Sequence, residues 1–205
     1  MSPYPIGYEA DFVEERSRLT TFFRLIMVIP LYLVAMVYGI AAVFTIIGAW
    51  FALVFTGRYP EGLYNFNSGF ARYMARVTAY QSLLTDVYPP FDTSEHPEYP
   101  VRLTIAPPQE SYSRAKAFFR VIIGIPVILI NYALNLLVQV CSLLAWIVIV
   151  FTGKQSQSLQ DATVLGTAYA ARGCAYFFLL TEDWPPFNAK DETVASAPAS
   201  PTTPV

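Results

Sequence analysis

Charged and apolar residues are separated along this chain on a coarse scale. No charged residue falls between Arg24 and Arg58, and none between Arg120 and Lys154, which leaves two uncharged runs of 33 residues each. Neither run alternates, and each is long enough to form a helix that is apolar on every side, the pattern of a membrane span. In the first run Pro30 removes a backbone donor, so a bend or restart is predicted there. The predicted span covers residues 31–56, about 39 Å at 1.5 Å per residue, against a hydrocarbon core of about 30 Å. Trp50 and Phe55 near its end, followed by Gly57-Arg58-Tyr59-Pro60, read as interfacial aromatics and a helix stop. The second run predicts the same element over 127–152.

A different periodicity follows each run. Over 62–85, Leu63, Phe66, Phe70, Tyr73, Met74, Val77, Tyr80 and Leu84 recur at helical spacing, with Asn67, Ser68, Arg72 and Arg76 elsewhere. The counterpart over 159–181 is more apolar. Each is predicted as an amphipathic or second membrane helix, the depth being open. Ahead of each repeat, Ile6, Tyr8 and Ala10, and then Val101, Leu103 and Ile105, alternate with more polar neighbours, the period of a short half-buried strand. The two strands are expected to pair at the membrane surface.

These elements recur because the chain is a duplication. Sliding it by 96 positions superposes 17–91 on 113–187 without a gap, and 27 of the 75 pairs are identical. The identities include Phe22-Phe23-Arg24 with Phe118-Phe119-Arg120, Trp50 with Trp146, Arg76 with Arg172, and Leu83-Leu84-Thr85 with Leu179-Leu180-Thr181. Shared apolar composition does not produce gapless identity at Arg, Trp and Thr. The predicted organisation is a first repeat over 1–91, a linker over 92–98, a second repeat over 99–187, and a disordered Ala/Pro/Ser/Thr-rich tail over 188–205. The fold class is an all-α integral membrane protein, a tandem repeat with a short surface strand before each copy.

The copies differ in one polar stripe. Asn131, Asn135 and Gln139 stand four residues apart in the second span, where the first has Ala35, Gly39 and Val43. Amides in lipid need partners, and small residues permit close helix approach, so a helix–helix contact or a polar ligand path is expected here. Arg24, Arg120, Arg76 and Arg172 recur at equivalent positions and are expected either to pair with Asp86 and Glu182 or with helix-end carbonyls, or to grip lipid phosphates. Most cations precede the spans, a weak vote for both spans starting in the cytoplasm, with the N-terminus there too.

Overall composition sharpens the picture. Of 205 residues 55% are hydrophobic and 14% charged, with mean hydropathy +0.42. The net charge of -2 offers no basic field for nucleic acid. Cys141 and Cys174 lack any CxxC spacing and read as buried thiols, and His96 reads as a solvated linker residue among acids. No catalytic constellation, metal site or cofactor is expected.

FTGRYPEGLYNF at 55–66 and LLTDVYPPF at 83–91, with FFR at 22–24, IP at 29–30 and YPVRL at 99–103, carry a resemblance. The chain resembles a family of bacterial membrane proteins, mainly of high-GC Gram-positive species, catalogued as domain of unknown function 4389. The second copy departs from the pattern at FTGKQSQSL. The resemblance implies a multi-pass inner-membrane location and lends no activity. The expected role is a non-enzymatic scaffold or accessory subunit of an envelope complex, with a membrane protein partner or self-association; the alternative is a lipid or small-solute binder or transporter with its site between the repeats.

Overall fold

The computed structural model describes residues 4–187. The predicted tail at 188–205 lies outside the described residues. The elements are β1 (Ile6–Ala10), α1 (Arg18–Thr56), α2 (Glu61–Gln81), β2 (Val101–Ile105), α3 (Arg114–Phe118), α4 (Arg120–Ile123), α5 (Ile125–Thr152) and α6 (Gln157–Phe177). The fold is mostly helical and twofold repeated. Helices α1 and α5 are long and apolar enough to cross a membrane.

Local chemistry sets most of the boundaries. The Ser17 hydroxyl accepts from the Thr20 amide and the Ser113 hydroxyl from the Lys116 amide, which starts α1 and α3 at equivalent residues. Gly57 and Gly153 end α1 and α5 in the left-handed region, at φ 71° and 77°, each amide closing back on a carbonyl four residues earlier. The predicted restart at Pro30 does not occur: α1 starts at Arg18 and passes through it. Pro30 lies on the exposed side of α1, and packing of Val28 and Leu31 beside it into a cluster with Tyr73 and Val77 holds the helix through the one missing backbone bond. The break appears in the second copy instead, at Phe119 and Gly124, and α5 restarts with Pro126 in its first turn, where proline is tolerated.

Helices α2 and α6 end four residues before the predicted limits, at Gln81 and Phe177. Leu83 and Leu179 both adopt φ 64°, and the amides of Leu84 and Leu180 reach the carbonyls of Ala79 and Ala175 at 3.0 Å. A leucine there costs about 1 kcal/mol of backbone strain relative to glycine. Burial of the Leu83 side chain in a cluster with Ala145 and Ile149, worth about 2 kcal/mol, offsets it.

The elements form three layers. Helix α1 touches α5, α2 touches α6, α1 packs on α2 and α5 on α6, while β2 rests on α2 and β1 on α6. The strands pair antiparallel as expected, with Ile6 opposite Ile105 and Tyr8 opposite Leu103, and these four side chains face the core. Each strand therefore rests on a helix of the copy that does not follow it.

The long helices are antiparallel. Trp50 Nε1 donates to the Ala117 carbonyl and Trp146 Nε1 to the Thr21 carbonyl, each at 3.1 Å, so the end of each long helix meets the start of the other copy. Arg18 Nη2 likewise reaches the Thr152 carbonyl at 3.0 Å. If both helices crossed a membrane they would start on opposite sides, against the expectation that both spans start on one side, because the cations counted as preceding the spans are divided between opposite ends of one helix pair. The outer surface of the α1/α5 layer is apolar except at Asn135 and Gln139, with Leu25, Met36, Phe44 and Phe55 exposed on α1 and Leu129, Leu136, Leu143 and Phe151 on α5.

Candidate functional site

The repeated arginines hold the helix ends together. Arg24, 3% exposed, donates through Nη1 to the carbonyls of Tyr80 and Thr85, pairs through Nη2 with Asp86 Oδ1, and stacks 4.4 Å from the Tyr80 ring centroid. The other Asp86 oxygen accepts the Ser17 amide at 2.8 Å and so caps the start of α1. Both expected partners, the acid and the helix-end carbonyls, meet at this one guanidinium. The left-handed Leu83 turn brings Thr85 and Asp86 back to it.

The second copy keeps the cap and loses the ion pair. Glu182 Oε1 accepts the Ser113 amide, but its Oε2 takes Lys116 Nζ at 3.3 Å instead of an arginine. Thr20 stands where the second copy has Lys116, which explains the redirection. Arg120, equally buried, stacks on Tyr176 at 4.1 Å. The expected Arg120–Glu182 pair is absent.

Arg76 donates to the carbonyls of Ser94 and Asp92, and Arg172 donates to the Pro186 carbonyl at 3.2 Å with its Cζ 5.9 Å from the Tyr4 ring centroid. Neither pairs with Asp86 or Glu182; both hold the loop after their own helix. Beyond α2, His96 is stapled between Asp92 at 2.9 Å and Glu98 at 3.0 Å, and is only partly exposed rather than freely solvated. Donating to the Asp92 and Glu98 carboxylates stabilises the protonated ring and pushes its pKa up, and the same staple holds the Asp92 carboxyl below its usual range.

The polar stripe of α5 is divided. Asn131 faces α6 beside Gly173, and its buried Oδ1 finds no hydrogen-bond partner, so the expected interhelical bond is not made. Asn135 and Gln139 are exposed and bond to each other, Gln139 Nε2 donating to Asn135 Oδ1 at 2.7 Å. In α1 Ala35 is buried against α2, and Gly39 lies beside the Phe70 ring, where an added Cβ would make an ordinary contact at 3.7 Å, so no close approach there requires glycine.

Asn135 and Gln139 line a crevice of about 470 Å³ between the copies. Arg24, Leu25 and Val28 of α1 form one wall, Val138, Ser142, Leu143 and Trp146 of α5 the other, and Thr78, Gln81, Ser82 and Leu83 the floor. Because α2 lies beneath α1, and the turn after it lies beneath α5 with the Ser82 carbonyl accepting from the Ser142 hydroxyl and Leu83 against Ala145 and Ile149, the crevice opens on the apolar face. Gln139 Oε1 and Asn135 Nδ2 are left over from the amide pair and can meet a ligand. The Arg24 guanidinium is already engaged. The pseudo-equivalent position on the other side has Gly39, Val43 and Ile46 for Asn135, Gln139 and Ser142, and Phe177 and Phe178 for Gln81 and Ser82. There Phe177 presses on Gly124, where an added Cβ would lie 2.6 Å from its ring, and Phe178 stacks on Phe70 at 5.7 Å. Gln81 and Ser82 escaped sequence reading because they belong to the other repeat; unequal polarity at paired positions was the available signal.

The family model described as Domain of unknown function (DUF4389) matches residues 18–92 and again 114–189. No curated protein and no solved structure matches the chain.

Proposed function

The chain belongs to the family described as Domain of unknown function (DUF4389), in two tandem copies, and from that premise we propose a membrane-embedded protein that binds one lipid-like amphiphile between its repeats. The membrane is the bacterial inner membrane that the family resemblance implies. The crevice carries the reading: it opens on the apolar face, its walls are largely aliphatic, and it holds uncharged amides and hydroxyls at Gln81, Ser82, Asn135, Gln139 and Ser142. Such groups match the ester and hydroxyl region of an amphiphile, whose chains would follow Leu25, Val28, Val138 and Leu143. A ligand also gives exposed amides the partners that hydrocarbon cannot supply.

The test is lipid analysis and native mass spectrometry of the full chain purified in mild detergent. One amphiphile per chain is expected, lost at least severalfold in Gln81→Phe, which copies Phe177, and in Asn135→Leu. A chain that carries none, or whose content neither variant changes, overturns the reading. A scaffold or accessory role is the second reading, favoured by the same outward-facing Asn135 and Gln139. A stoichiometric protein partner that protects them would support it.

A further inference from the structure

The apolar face is too long for an upright span. Exposed apolar side chains run from Leu19 to Phe55 on α1, ~54 Å of helix, and from Phe118 to Phe151 in the second copy, ~50 Å, against a hydrocarbon core of about 30 Å. Tilt or the break at Gly124 could shorten this reach. The strand layer decides more strongly.

Helix α2 lies along the middle of α1, from Leu63 beside Gly48 to the Tyr73 hydroxyl on the Leu31 carbonyl. Strand β2 lies along α2 in turn: Val101 and Leu103 border a cleft with Arg72 and Arg76, and the Tyr64 hydroxyl reaches the Ala106 carbonyl. The sheet is therefore level with the centre of α1. Its outer face carries Arg102 bridged to Glu9 and Asp11, and the adjoining loop carries Glu95, all partly or well exposed. An upright α1 would put these charges and two open strand edges at mid-bilayer, where backbone groups and ions have no partners.

The pseudo-twofold axis runs through all three layers, because each layer contains one element from each copy. With the apolar layer against a membrane, that axis coincides with the membrane normal and both copies meet lipid in the same way. An upright arrangement would instead force two copies of the same unit, identical at 27 of 75 positions, into opposite orientations. Exposed cations stand at both ends of the apolar layer, Arg18 and a Glu14-bridged Lys154 at one and Arg58 and Arg114 at the other, where they can reach the headgroups surrounding an embedded slab.

We propose that α1 and α5 lie in the plane of a single leaflet, the apolar layer inserted and the α2/α6 and strand layers outside it. The proposal rests on the membrane-embedded part of the reading above and is independent of the crevice ligand.

The experiment uses the full chain with Cys141→Ala and Cys174→Ala, expressed in cells, and single cysteines at Arg18, Arg58, Glu95, Arg114 and Lys154. These are labelled with a membrane-impermeant maleimide before and after lysis. All five are expected to react from the same side. Reaction of Arg18 and Lys154 from one side and Arg58 and Arg114 from the other overturns the proposal. As a second measurement, nitroxide labels at Leu25, Ile40 and Phe55 in vesicles of anionic phospholipid are expected at equal, shallow depth, whereas a maximum at Ile40 overturns it. Should the chain fail to partition into membranes, the earlier reading falls with it; a two-sided labelling result leaves that reading standing.

Discussion

The two flanks of the helix pair share one frame and differ in what fills it. On the flank formed by the start of α1 and the end of α5, Gln81, Ser82, Asn135, Gln139 and Ser142 leave an open crevice. On the opposite flank the same positions hold Phe177, Phe178, Gly39, Val43 and Ile46. The interface groups that the copies share are structural: the tryptophan bonds, the glycine caps, the left-handed leucines and the acid that caps the first helix of its own copy. A duplicated frame thus tolerates divergence where neither copy depends on it, and the open flank is where function is expected.

The sharpest break in this comparison lies at the two acids. Asp86→Ala strands the buried Arg24 charge and uncaps α1, with an expected loss of about 3 kcal/mol in unfolding measured in detergent. Glu182→Ala removes a cap and an exposed lysine contact, with an expected loss of about 1 kcal/mol. Equal losses would show that the acids do the same work.

Packing gives the next effect. A Cβ at Gly166 would stand 2.3 Å from Val138 Cγ2 and 3.1 Å from the Leu134 carbonyl, whereas the first copy places Phe70 and Ala42 at these positions. Gly166→Ala is expected to cost about 2 kcal/mol. Adding Val138→Ala, which copies Ala42, should recover part of that in the same assay, because the side-chain clash goes and the carbonyl contact stays. No recovery would mean that size is not exchanged between these helices.

The smallest effect concerns the His96 staple. Its pKa is raised, so its contribution is complete below about pH 6.5 and declines as pH rises through the folded value. The lowered Asp92 works the other way, its share being lost only as the solution becomes acidic. Amide hydrogen exchange over 92–98, corrected for the intrinsic rate, should accelerate between pH 6 and pH 9, and His96→Gln should abolish that dependence. An unchanged profile in the variant would remove His96 from the account.

The strands, their pairing, the glycine stops and the duplication were all legible in the sequence, since each is written in local period or in residues with special backbone freedom. The restart expected at Pro30 does not occur, because the missing donor is visible in the sequence whereas the packing of Val28 and Leu31 that carries α1 through it is not. The Leu83 turn was read as helix because its strain is offset by burial against Ala145 and Ile149, which sequence spacing does not reveal. Arg16, one of the cations ahead of the first uncharged run, is buried and donates to the Leu84 carbonyl and Gln160 Oε1, partners too distant in sequence for spacing to reveal. The crevice needed the antiparallel docking of α1 and α5, and periodicity reports which face is apolar without naming the opposite helix.

The crossed strands bear on ancestry. A single strand–helix–helix copy would leave its second helix without a strand, since β1 lies on α6 and β2 on α2. Two separate copies would cover each other by exchanging strands about the pseudo-twofold axis, and joining them end to end gives the element order found here. The exchange makes the two halves interdependent, because neither alone carries all three layers.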